Sequence, residues 1–339
     1  MSTRRFYRRG LRAVAALAVL PVLVTACALP AAQASGRPPG TAGPPGLHVA
    51  GTVCLGELSD ALAVQYSEAP DGDVYYGRGP VVYVVKGDQA PAPVLQAVGP
   101  VLAVAANSAD LFVEVKATVT AYRRSDGLEL RSWSLPSSFP VTQAGLFTAD
   151  GTAWAWTDWG TDASGFEYAN VDRFSPASTT VDLVSAGIAQ PTDMAANATG
   201  LYYEGFILKS SANELIHVTP TGAVRSRLVP AFGVPLALAG GNVEMLARDE
   251  ATGKTHLLGY SGSTLATVFS VQVPSGTTDI AGTGAGLLML AGAKVSEVST
   301  TSGHAEATLT VPNAGMLVPG PSAVVVTAGG GRACLVRLA

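Results

Sequence analysis

Charge, cysteine and long apolar runs are all scarce in this 339-residue chain. Charged residues make up 14% of it, against about 25% in an average soluble domain. That shortage fits many buried strands joined by neutral Gly, Ser, Thr and Pro turns. Beyond residue 12 no basic run is present, which argues against a nucleic-acid partner. The longest apolar run, Ala13–Ala26, has fourteen residues where a membrane span needs about 20. The four histidines, His48, His217, His256 and His304, fall on separate segments without metal-ligand spacing. "GYSGS" around Ser261 lacks the form of a nucleophile elbow, and "GTGAG" (Gly282–Gly286) has no helix after it to cradle phosphate. The residues therefore imply no cofactor, no metal and no catalytic constellation.

What is present begins with an export signal. Arg4, Arg5, Arg8, Arg9 and Arg12 precede the apolar run without an acidic residue, so residues 1–26 read as a leader. Its end, Val24-Thr25-Ala26-Cys27, resembles the bacterial lipobox, in which the cysteine is acylated. The alternative is ordinary cleavage after Ala32-Gln33-Ala34 and free secretion. Residues 27–46 include "SGRPPGTAGPPG", a Pro/Gly-rich tether. Without the five leader arginines, 16 basic residues remain against 25 acidic ones, formally −9. These features predict an extracytoplasmic lipoprotein, monomeric, that meets the membrane through its lipid anchor alone.

From residue 47 to 339 the chain repeats. Turn-rich stretches give way to β-branched and aromatic bursts at Val74, Leu111, Ala153, Leu201, Val243, Leu287 and Val324. Successive anchors are 37, 42, 48, 42, 44 and 37 residues apart. A period near forty with no helical pattern is the mark of four-stranded propeller blades, so the fold class is all-β with seven blades. Blade two reads cleanly as Val101–Ala106, Leu111–Val115, Thr118–Arg124 and Leu128–Leu135. Blade three is expected to run to Ala186 and blade four from Gly187. The last repeat has three strands only, and Gly51–Glu57 has no blade of its own. Supplied as the fourth strand, that N-terminal segment closes the ring and removes two open edges. Cys54 and Cys334 then face each other on adjacent strands, within reach of a disulfide in an oxidising compartment. The other possibility is a pair of buried free thiols.

Three stretches carry a family resemblance: "AYRRSDGLELRSW" (Ala121–Trp133), "LARDEATGKTHLL" (Leu246–Leu258) and "VSTTSGHAEATL" (Val298–Leu309). Each has a strand, a Gly-containing turn and a second strand, and the pattern resembles the quinoprotein-like (PQQ-like) propeller superfamily. The resemblance implies the fold and the lipoprotein members that serve as binding scaffolds. It does not extend to a quinone cofactor, because the tryptophan docking belt and adjacent cysteines of the dehydrogenases are missing. Fold alone does not give function.

Candidate binding residues come from unequal loops. The B–C loops of blades one, two, six and seven are short, whereas those of blades three to five are long: Asp158–Glu167, Glu204–Glu214 and Arg248–Lys254. Long loops on a rigid scaffold form a rim where a protein or glycan partner is expected. The rim candidates are Asp158, Trp159, Asp162, Phe166, Glu167, Glu204, Phe206 and Arg248. Trp159 is the stacking candidate, whereas Trp154 and Trp156 share a strand face and read as packing between blades. Asp158, Asp162 and Glu167 offer oxygen ligands, but at a spacing that fits no standard calcium loop, so they read first as solvated charge. The expected function is a binding or scaffold module. The alternative is an enzyme, either a glycan-active lyase or hydrolase or a degenerate quinoprotein-type oxidoreductase, drawing on Asp158, Asp162, Glu167, Glu204 and Arg248.

Overall fold

Each of the seven anchors lies in the second strand of a four-stranded antiparallel blade. The computed structural model describes residues 47–57, 65–135, 146–149, 152–161, 167–207, 210–229, 233–249, 252–284, 286–330 and 332–339. The leader, Cys27 and the tether to residue 46 lie outside the described residues. All described regular structure is β-strand, and the first strands of the blades touch in sequence around a ring that closes on itself.

Blade seven is built from both ends of the chain. Ala314–Val318, Ala323–Gly329 and Arg332–Leu338 supply its inner strands, and Val49–Glu57 adds the outermost. Cys54 sits directly opposite Cys334 in that last pairing, and the two are joined in a disulfide. A second lock crosses to blade one. There the buried Glu68 accepts a hydrogen bond from the Ser322 N–H at 2.9 Å and lies 3.5 Å from the Arg337 guanidinium.

Seven separate apolar clusters hold the ring, one in each gap between neighbouring blades. Alternation of strand side chains makes this possible, because each blade turns one face to the blade before it and the other to the blade after. Trp154 shows the rule: it packs with Val171 of its own blade and with Met194, Leu201 and Tyr203 of blade four. Polar staples reinforce three more gaps. Arg124 pairs with Asp71 at 2.7 Å and donates to the Tyr75 hydroxyl, tying blade two to blade one. The Trp133 indole N–H donates to the Ser178 carbonyl, and the Tyr202 hydroxyl donates to that of Gly262. Near the ring axis the inner strands approach so closely that a Cβ on Gly282 would overlap the Leu238 carbonyl.

The boundary between blades three and four differs from expectation. Instead of two strands meeting at Ala186 and Gly187, one sixteen-residue strand, Asp182–Asn197, serves both. Its first half pairs with Glu167–Phe174 of blade three and its second half with Gly200–Ile207 of blade four, giving a seven-stranded sheet. "SAGIAQPTD" contains no tight-turn dipeptide, so the chain passes between blades extended, absorbing the bend in bulges around Ile188 and Asp193.

Candidate functional site

In an antiparallel blade the B–C loops and the connections between blades emerge on one face, and the A–B and C–D turns on the other. On the first face the described strand ends leave two residues in the B–C turns of blades one, two, six and seven. Positive φ at Gly79, Lys116, Gly292 and Gly330 closes those short hairpins. The corresponding loops of blades three, four and five span 162–166, 208–211 and 249–254. These loops are longer than two residues but those of blades three and four are shorter than expected, because their strands run further before they turn.

That extension relocates several candidates. Asp158 and Trp159 are in strand Thr152–Thr161, with Trp159 inside a bulge, and Glu167 opens the next strand opposite Thr161. Their side chains, together with the whole of Asp162 and Phe166, lie outside the described residues. Glu204 and Phe206 belong to strand Gly200–Ile207 rather than to a loop. Glu204 is fully buried on the face that Tyr202 packs against blade five, so it is an interior residue and not a rim one. Arg248, expected in the blade-five loop, is the exposed last residue of strand Asn242–Arg248.

Arg248 stands over a cavity of about 480 Å³. One wall is the blade-five loop with Gly253 and Lys254. The opposite wall is the connection to blade six with Ser275, Gly276 and Thr277. Buried Leu246 and Val273 form the floor, and Thr255 and Gln272 complete the sides. The walls are tied in place: the Asp249 N–H donates to the Lys254 carbonyl at 2.9 Å, and the Val273 N–H to that of Thr255 at 3.0 Å. Across the cavity, the Thr277 N–H and hydroxyl both donate to the Pro274 carbonyl. The Asp249 carboxylate is turned onto Thr252 of its own loop. Among the described residues no carboxylate pairs with Arg248 or Lys254; Glu250 of the same loop lies outside them.

Two carboxylates lie on inner strands that start from this same face. Asp193 in blade four accepts the Leu236 N–H of blade five at 2.7 Å, and Asp279 in blade six accepts the Leu317 N–H of blade seven at 2.6 Å. Each also accepts the N–H of the residue after it. Burial raises Asp193 to about 6 and Asp279 to about 7, the latter helped by the nearby charge of Asp193. Burial between blades five and six lifts Glu244 to about 8. These positions escaped the sequence reading, although "PTDM" and "TTDI" stand two repeats apart in equal phase and could have flagged the first two.

Each of the three groups binds its proton more tightly in the folded chain, so their contribution is fully present below about pH 4. It is lost as pH rises through the folded values toward 8. We expect the denaturant midpoint to be lower at pH 8 than at pH 5, and Asp279→Asn to flatten that slope. A wild-type midpoint that is flat or rises over this range would contradict the assignment.

No family model matches this chain, and neither does any curated protein. Solved structures do match in fold. A chain of the mitotic checkpoint complex gives a TM-score of 0.60 at 12% identity, over 90% of this chain and 97% of that one. Virginiamycin B lyase from Staphylococcus aureus gives 0.55 at 10% identity, over 85% and 98%. BBS1N, solved in complex with ARL6DN, gives 0.50 at 12% identity, over 84% and 96%. At such identities the likeness establishes a seven-bladed propeller and nothing narrower.

Proposed function

We propose that this chain is exported, is anchored through an acylated Cys27, and serves as a binding or scaffold module for a protein or glycan partner. The observation that carries the reading is the open cavity beside Arg248, in a blade whose B–C loop is longer than the two-residue turns of blades one, two, six and seven. A rigid scaffold with one built-up edge positions contacts at little entropic cost. Propellers of similar fold appear in the mitotic checkpoint complex and in the complex of BBS1N with ARL6DN, which supports a protein-binding kind of role. The quinoprotein-like repeat pattern fits a scaffold use of the same fold.

Two measurements test this. Metabolic labelling with a clickable fatty acid should mark the wild type and not Cys27→Ala; equal labelling would remove the anchor. Cross-linking of envelope partners to the purified protein should fall severalfold when Arg248 and Lys254 are both changed to Glu. Both side chains are exposed, so stability should change by under about 1 kcal/mol. Undiminished cross-linking would move the partner surface away from blade five.

A further inference from the structure

The blade-five cavity has a chemistry more specific than a general contact surface. Its two walls come from segments some twenty residues apart, and each is held by its own backbone hydrogen bonds before any ligand arrives. Its volume of about 480 Å³ falls within the roughly 300–1,000 Å³ of small-molecule sites. Two cations, Arg248 and Lys254, lie on one side without a carboxylate partner among the described residues. Lys294 follows the blade-six turn on the same face, where the Gly292 N–H donates to the Gly276 carbonyl of the cavity wall. These three cations stand beside the loop's own Asp249, whose carboxylate is turned onto Thr252, in a chain whose formal charge without the leader arginines is −9.

The remaining lining is neutral and hydrogen-bonding. Thr255, Ser275 and Thr277 bring hydroxyls, and Gln272 brings an amide. The Thr277 hydroxyl donates its proton to Pro274, which leaves its lone pairs to accept from a ligand. Leu246 and Val273 give an apolar floor on which the C–H face of a ring can lie. A guanidinium and an ammonium select a carboxylate or phosphate, the guanidinium in bidentate fashion. An acidic peptide side chain would satisfy the two cations but leave the hydroxyl wall unused.

We propose that this cavity binds a hydroxylated organic anion of sugar size, a sugar acid or sugar phosphate, either free or as the terminal residue of a glycan. The proposal rests on the binding reading above and names the ligand class of that site. The anionic group sits between Arg248 and Lys254, the ring lies over Leu246 and Val273, and its hydroxyls meet Thr255, Gln272, Ser275 and Thr277.

Calorimetric titration of the purified protein tests it with glucuronate, trigalacturonate, glucose 6-phosphate and, as neutral controls, glucose and maltotriose. At least one anionic sugar should bind at least tenfold more tightly than either neutral control. That affinity should drop at least tenfold in the Arg248→Ala/Lys254→Ala variant and weaken with added salt. Preference for trigalacturonate over glucuronate would assign the glycan-terminal source, and the reverse the free one. Equal binding of neutral sugars, no anionic binding at millimolar concentration, or unchanged affinity in the double variant would each overturn the proposal. Envelope cross-linking measured on the same samples separates the two claims. Cross-linking that persists while anionic sugars fail to bind sinks the ligand assignment alone, whereas loss of both sinks the binding reading as well.

Discussion

The Cys54→Ser/Cys334→Ser variant is expected to lose about 3–5 kcal/mol of stability and to open first at blade seven. The disulfide spans 280 residues, from the first strand of the ring to the last. Cutting it restores to the unfolded chain the freedom that a closed loop of that length denies it. The chain-entropy estimate for such a loop is roughly 5–6 kcal/mol, an upper figure because compact denatured states hold part of it already. The loss should concentrate in one place. Strand Val49–Glu57 is hydrogen-bonded along one edge only, to Arg332–Leu338, and its Val53 and Leu55 pack into the apolar gap toward blade one. Without the covalent link, that strand leaves by breaking one ladder while six blades stay closed. A shift of the urea midpoint, together with proteolytic cleavage near the N-terminal strand before any other site, would bear this out. Equal midpoints for oxidised wild type and variant would show that the apolar gap between blades seven and one closes the ring unaided.

Trp154→Ala should cost about 3–5 kcal/mol, the ordinary toll for removing a large buried aromatic. The indole is 1% exposed and fills the gap between blades three and four. The seven-stranded sheet limits relaxation there, since both blades share strand Asp182–Asn197 and cannot slide independently to fill a void. Trp154→Phe should lose markedly less, because a ring still occupies the gap. Thermal denaturation of the two variants checks the order. If alanine and phenylalanine give the same midpoint, the site collapses freely and the shared strand does not stiffen it.

Much of this architecture was legible in the residues. All seven anchors, from Val74 to Val324, fall in second strands, because a turn followed by an apolar burst is a local signal that needs no distant partner. The pairing of Cys54 with Cys334 was legible for a different reason. A three-strand last repeat and an orphan strand at the start leave one arrangement without open edges. The candidate site was less legible. Glu204 reads as loop because an acid beside Gly205 resembles a turn, yet the hairpin register carries strand Gly200–Ile207 past it and turns the carboxylate toward blade five. Lys254 has no mark in sequence that sets it apart within the loop Arg248–Lys254, and Ser275 and Thr277 are ordinary linker residues until the ring brings them to the same cavity.

The sequence by itself determined the number of blades, the all-β class, the closing strand and the cysteine pair. Each of these follows from periodicity or from counting strands, which are properties of the chain read in order. Only the tertiary structure decided that blades three and four share a strand, that Asp193 and Asp279 clasp the next inner strands, and that a cavity stands beside Arg248. Those features depend on how far each ladder runs before it turns and on the angle at which adjacent blades meet, and both are set by packing between segments that do not adjoin along the chain.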